Sequence, residues 1–172
     1  MTGVQTCALP IYLRNQIEAT GAIVTFEPLP TIVGDSTQIT QLFQNLISNA
    51  IKFRTPGTSP QIQISATPRP SDWLFGVAAD GIGIEQQYLD RIFTIFQRLH
   101  TRDQYPGTGM GLTICKKIVQ CHHGKIWATS ELGVGATFWF TIPVRGDGET
   151  GRRGDGETGD TLGAESADPT FD

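Results

Sequence analysis

Asp35-Ser36-Thr37-Gln38-Ile39-Thr40-Gln41-Leu42-Phe43-Gln44-Asn45-Leu46-Ile47-Ser48-Asn49-Ala50-Ile51-Lys52-Phe53 decides how the rest of the chain is read. Asp35 and Ser36 offer side-chain oxygens to the free N–H groups of a helix start. Beyond them Ile39, Leu42, Phe43, Leu46, Ile47, Ala50 and Ile51 recur at steps of three and four, giving a long helix with one apolar face. At 100° per residue, Asn45, Asn49 and Lys52 fall within about 60° of one another, beside that face. Two carboxamides and an ammonium therefore point the same way. An Asn oxygen is a hard neutral ligand suited to Mg²⁺, and a Lys meets phosphate as a point charge. Taken alone, such a face is equally a solvated polar surface.

Working outward, Ile23-Val24-Thr25-Phe26 reads as a strand ended by Pro28 and Pro30. Thr55-Pro56-Gly57-Thr58-Ser59-Pro60 is a loop by composition. Gln61 to Ala66 alternates like a half-buried strand, with Trp73 to Val77 as its partner. Glu85 to Gln97 reads as a short helix. Gly111 to His122 reads as a second long helix with Leu112, Cys115, Ile118 and Val119 on one side. Lys125 to Thr129 and Ala136 to Ile142 form a closing hairpin. One mixed sheet covered by helices on one face is the economical architecture.

The ends differ from this body. Met1 to Ile11 lacks periodicity and resembles translated sequencing-adapter DNA, so it is taken as a non-native leader. Residues 12–145 are taken as the domain. From Gly146 onward, Gly-Asp-Gly-Glu-Thr-Gly occurs twice, and this acidic, Gly-rich segment is expected to be a disordered tail. It lacks the EF-hand ligand spacing, which excludes that calcium reading. The net charge of −4 divides into −6 for residues 146–172 and +2 for the remainder. So mild a balance argues against nucleic acid as a partner. No apolar run reaches the roughly 18 residues of a membrane span, and no direct membrane contact is expected. Cys7, Cys115 and Cys121 are too widely spaced for a zinc or disulfide framework, and a cytoplasmic setting is expected.

Two glycine clusters carry the remaining chemistry. Asp80-Gly81-Ile82-Gly83-Ile84 follows a strand, and Gly107-Thr108-Gly109-Met110-Gly111-Leu112 opens a helix. Glycine permits close backbone approach, and a helix start presents free N–H groups to phosphate. The Walker A Gly-Lys-Ser/Thr is absent, and so are the strand and acid of a Rossmann fingerprint. Between the clusters, Phe93 and Phe96 are expected in the core, and Thr101 to Pro106 is expected to form a lid.

In order and sequence these features resemble the N, G1, F and G2 boxes of histidine kinases, over about Val33 to Val144, and are similar to bacterial phytochrome-like sensors. The resemblance implies an α/β (α+β) two-layer sandwich of the GHKL type, the Bergerat-type ATP-binding fold, with a mixed, mostly antiparallel sheet. It implies ATP and Mg²⁺ as ligands, with Asn49 on the metal and Asn45 supporting metal and phosphates. Lys52 matches the basic residue near the phosphates, and Gly81 and Gly83, with Asp80 beside them, the shaping of the adenine pocket. Gly107, Gly109 and Gly111, with Thr108 and Leu112, match the turn beneath the triphosphate. Arg98 and His100 match lid-side positions, and Thr137 a strand position near adenine.

The same resemblance implies phosphotransfer to a His on a separate dimerisation domain, a response regulator as partner, and a homodimeric full-length protein. No residue of this chain is assigned as a nucleophile or general acid–base group, because such catalysis is mostly positioning and charge neutralisation. The family's G1 box reads Asp-Asn-Gly-x-Gly, whereas this chain reads Ala79-Asp80-Gly81-Ile82-Gly83. Loss of that carboxylate predicts a cost of roughly 1.5–3 kcal/mol in adenine recognition. Asp80 can substitute only if the strand end shifts by one residue. His122 and His123 are read as helix-capping groups rather than phosphoacceptors, so this chain alone is not expected to autophosphorylate. A degenerate nucleotide-binding or protein-interaction module, and a serine kinase or ATPase on the same fold, are the alternatives.

Overall fold

The structure, a computed structural model, describes residues 3–4, 11–94 and 110–144. In chain order these form β1 (Gly3–Val4), α1 (Ile11–Thr20), β2 (Ile23–Phe26), β3 (Ile32–Val33), α2 (Ser36–Lys52), β4 (Gln61–Pro68), β5 (Asp72–Asp80), α3 (Gly111–Cys121), β6 (Ile126–Glu131) and β7 (Gly135–Pro143). A five-stranded sheet has the order β2-β4-β5-β7-β6, and β1 pairs separately with β3. Only the β2–β4 pairing of the larger sheet is parallel. The expected mixed, mostly antiparallel sheet is therefore what forms.

Strand alternation explains which face is covered. Ile62 and Ile64 of β4, Phe75 and Val77 of β5, and Phe138, Phe140 and Ile142 of β7 are buried. They meet the buried faces of α2 (Ile39, Leu42, Phe43, Leu46, Ile47) and α3 (Cys115, Ile118, Val119). The Phe75 and Phe140 rings stack at 4.9 Å, and Phe43 meets them edge-on at 6.1 and 5.5 Å. Each such pair adds about 0.5–1.5 kcal/mol beyond the area it buries. That cluster fixes α2 against the middle of the sheet, which matters because α2 carries the carboxamides. At its start, Asp35 Oδ1 accepts the Gln38 N–H at 3.0 Å, as an N-cap should.

One expectation is corrected. The stretch expected as a helix from Glu85 holds only a 3₁₀ turn over Gln86–Tyr88, followed by turns to Thr94. Its backbone bonds there are largely of the three-residue kind, such as Tyr88 N–H to Glu85 O and Thr94 N–H to Arg91 O. Tertiary contacts override the local pattern: Gln86 Nε2 donates to Ser130 O, and Ile92 and Phe93 both enter the core. Residues 95–97 of that expectation lie outside the described residues. At the start of the chain, Ile11 is the first residue of α1, and Gly3–Val4 pair with Ile32–Val33. Leu13 of α1 is fully buried, so this helix joins the core. Among the described residues no helix is long and apolar enough to cross a membrane.

Candidate functional site

The α2 carboxamides meet the start of α3. A Cβ placed on Gly111 would lie 3.9 Å from both Asn45 Oδ1 and Asn49 Nδ2. Gly111 is the first residue of α3, so the bare backbone of a helix start faces the two carboxamides. A helix start carries unpaired N–H groups and the positive end of the helix dipole, which suits an anion. Asn45 Nδ2 is itself buried and lacks a hydrogen-bond acceptor. Such a donor costs about 1–3 kcal/mol when left unsatisfied. Its polar neighbour across the α2–α3 interface is the Cys115 thiol, a weak acceptor. Burial pushes that thiol up to about 12 from its ordinary 9.0, with Asn45 acting in the opposite sense. Sequence reasoning placed Cys115 on the core stripe and missed that it underlies the carboxamides; it stands one helical turn beyond Gly111.

Lys52 occupies the last turn of α2, and its Nζ sits 4.6 Å from the centroid of the Phe53 ring. Its ammonium thus has an aromatic rest one turn beyond Asn49. Phe53 closes α2 and accepts the Ile82 N–H through its carbonyl at 3.1 Å. Gly81 and Gly83 are explained by this docking. A Cβ on Gly81 would lie 2.6 Å from Phe53 O. Gly83 has φ +71°, and a Cβ there would collide with the Glu131 carbonyl. Gly133 N–H donates to Ile82 O at 2.8 Å, so the turn is held between the end of α2 and the β6–β7 turn. Leu112 is partly buried against the core.

Two expected site residues are placed elsewhere. Ile62, Ala79, Ala136 and Ser130 form one cross-strand row on the helix side of the sheet. The next row, Thr25, Gln63, Ala78, Thr137 and Thr129, therefore faces the opposite side. Thr137 is on that side, away from Asn45 and Asn49, and the period of two in β7 is the reason: Phe138 and Phe140 take the core positions. Asp80 also points away, and its Oδ1 accepts the Gln61 N–H at 2.7 Å. The pairing from Asp72 to Asp80 runs without interruption, so no register shift brings Asp80 into the place of Ala79. Ala79 keeps the helix-facing position. Arg98, His100, Gly107, Thr108, Gly109, Phe96 and the expected lid lie outside the described residues. Phe93 is buried and meets Phe138 edge-on at 6.3 Å, as expected of a core residue.

Residues 34–146 match the family described as histidine kinase-, DNA gyrase B- and HSP90-like ATPase. The chain belongs to this family. It is similar to cyanobacterial phytochrome A of Nostoc sp., with 63% identity over 134 residues, 78% of this chain and 17% of the relative. To the phytochrome-like protein Cph1 of Synechocystis sp. it is 50% identical over 132 residues, 77% of this chain and 18% of that protein. The chain thus spans less than a fifth of either relative. Among solved structures, the nucleotide-free catalytic domain of histidine kinase ThkA matches with TM-score 0.64 and 29% identity, covering 77% of this chain and 87% of that one. Full-length ShkA in complex with AMPPNP matches with TM-score 0.66 and 28% identity, over 83% of this chain and 30% of that one. This member of the family is a histidine-kinase-type ATP-binding catalytic domain.

Proposed function

We propose that this domain holds Mg-ATP with the phosphates lodged between the carboxamide face of α2 and the start of α3. In the full-length protein it then passes the γ-phosphoryl to a His on a separate dimerisation domain, from which a response regulator receives it. The observation that carries this reading is the meeting of Gly111 with Asn45 and Asn49 around a buried, unpartnered amide N–H₂. The described residues hold no group of three or more His, Cys, Asp and Glu that suits a metal. The donor set here is neutral, which fits Mg²⁺ arriving with phosphate oxygens and keeping its own waters. Asn49 would hold it and Asn45 would support it. When bound, the ion neutralises charge that develops on the transferred group.

The chain's own residues bind and orient. Asn45 Nδ2 offers its unused N–H to a phosphate oxygen, and the N–H groups after Gly111 offer more. Lys52 adds a positive charge beside them. With no nucleophile assigned within the domain, the acceptor His comes from elsewhere, in a homodimer in a cytoplasmic setting. Reconstitution tests this: mixed with a His-bearing dimerisation domain and labelled ATP, the domain produces acid-labile phosphate on that partner. Acid-stable label, or none, contradicts it.

A second reading, a binding module without turnover, is favoured by one observation. Ala79 stands on the helix side of β5 between Ile62 and Ala136, where the family places a carboxylate for the adenine amino group. Equilibrium dialysis with labelled ATP separates the readings, since a module that signals only through protein contacts retains no nucleotide.

A further inference from the structure

His122 closes α3 and makes two hydrogen bonds, one that caps its own helix and one that leaves it. Its Nδ1 lies 2.8 Å from Ile118 O, one turn back in its own helix, and its Nε2 accepts the Asp35 N–H at 3.1 Å. A carbonyl only accepts and an amide N–H only donates, so this pair of bonds requires hydrogen on Nδ1 and a bare Nε2. Asp35 is the N-cap of α2. The ring also packs against Gly34, where an added Cβ would come within 2.9 Å of both Cδ2 and Nε2. The imidazole therefore ties the end of α3 to the beginning of α2.

The same two helices meet again at their other ends, where Gly111 of α3 faces Asn45 and Asn49 of α2. Between them the Cys115 thiol approaches Leu42 O at 3.9 Å, a weak contact within an apolar seam. Apolar packing is tolerant of sliding, whereas a hydrogen bond fixes distance and direction. We propose that His122 is a positioning residue: it sets the longitudinal register of α3 against α2, and so the spacing of the Gly111 backbone from the two carboxamides. The proposal rests on the reading of that crevice as the phosphate seat.

Three substitutions separate this role from plain stabilisation. His122→Gln keeps an acceptor where Nε2 stands, His122→Asn keeps only the donor toward Ile118 O, and Gly34→Ala pushes the intact ring aside. Amide spectra of the nucleotide-free protein, recorded well below its melting temperature, are compared first. Resonances of Asn45, Asn49 and Gly111 are expected to move in His122→Asn and Gly34→Ala and to return to wild-type positions in His122→Gln. Mg-ATP titration under the same conditions is expected to show about fivefold weaker binding for the first two and near wild-type binding for the third. Unmoved resonances in all three variants overturn the proposal, even if the proteins melt earlier. A wild-type protein that fails to bind Mg-ATP overturns the reading of the crevice instead, and the spectra still decide the role of His122.

Discussion

Gly111 of α3 and Asn49 of α2, far apart in sequence, stand so close that a methyl group on the glycine would touch the carboxamide at 3.9 Å. The gap is ordinary contact distance for a methyl and too small for a branched side chain with a phosphate beside it. Gly111→Val should therefore leave the domain folded, since the position is at a helix start. It should weaken Mg-ATP binding at least about tenfold, equivalent to 1.4 kcal/mol. Calorimetric titration beside a thermal melt checks both parts.

Restoring the missing acid tests the base site. Ala79 faces the helix layer in register with Ile62 and Ala136, and the strand holds that register. Ala79→Asp should tighten ATP binding by about tenfold to over a hundredfold, the worth of a charge-assisted bond to the adenine amino group. The same carboxylate sits among apolar neighbours when no nucleotide is present, so the empty variant should melt below wild type. Equal affinity for the two proteins would mean that another group already reads the base.

His123 adopts φ +59°, a left-handed conformation that L side chains other than Asn and Asp rarely take. Gly124 N–H to Val119 O (2.9 Å) and His123 N–H to Gln120 O (3.0 Å) form a Schellman closure of α3. His123→Gly should stabilise the domain by about 0.5–1 kcal/mol, because relief of the strained backbone exceeds the extra entropy of the unfolded chain. Urea unfolding gives the sign directly, and destabilisation would show that the imidazole makes a compensating contact.

Cys115 supplies an alkaline signature. Burial raises its folded value to about 12 from 9.0, so the thiol must stay neutral in the folded state while the unfolded chain ionises it. The stability it contributes is complete below pH 9 and is lost progressively as pH rises from 9 to about 12. Cys115→Ala removes this dependence at the expense of a small cavity. The stability gap between wild type and variant, measured by urea unfolding, should narrow by about 2 kcal/mol between roughly pH 8 and pH 10.5. A gap that stays constant would mean that the thiol reaches solvent.

What the sequence displayed and what it hid follow from range. The apolar steps of α2 and the alternation of β4 are local, and both elements formed where the pattern put them. Capping by His122 was legible from its place at the end of α3, but its bond to Asp35 was not, because no local rule pairs residues so far apart. Glu85 to Thr94 failed for the same reason: hydrogen bonds to Ser130 and burial of adjacent Ile92 and Phe93 decide that segment. The carboxamide pair was legible as a polar face beside an apolar stripe, whereas Cys115 beneath it needed the helix crossing. For Thr137 and Asp80 the sequence located the strands, and only the pairing register showed which side of the sheet each takes.

Whether metal and phosphates sit against α2 is decided by Asn49→Ala, titrated with ATP in the presence and absence of Mg²⁺. Wild type is expected to bind more tightly with the ion than without it, and the variant to lose this magnesium-dependent binding while its melting curve stays cooperative. An Asn49→Ala protein that binds Mg-ATP as tightly as wild type would contradict the placement of metal and phosphates against α2.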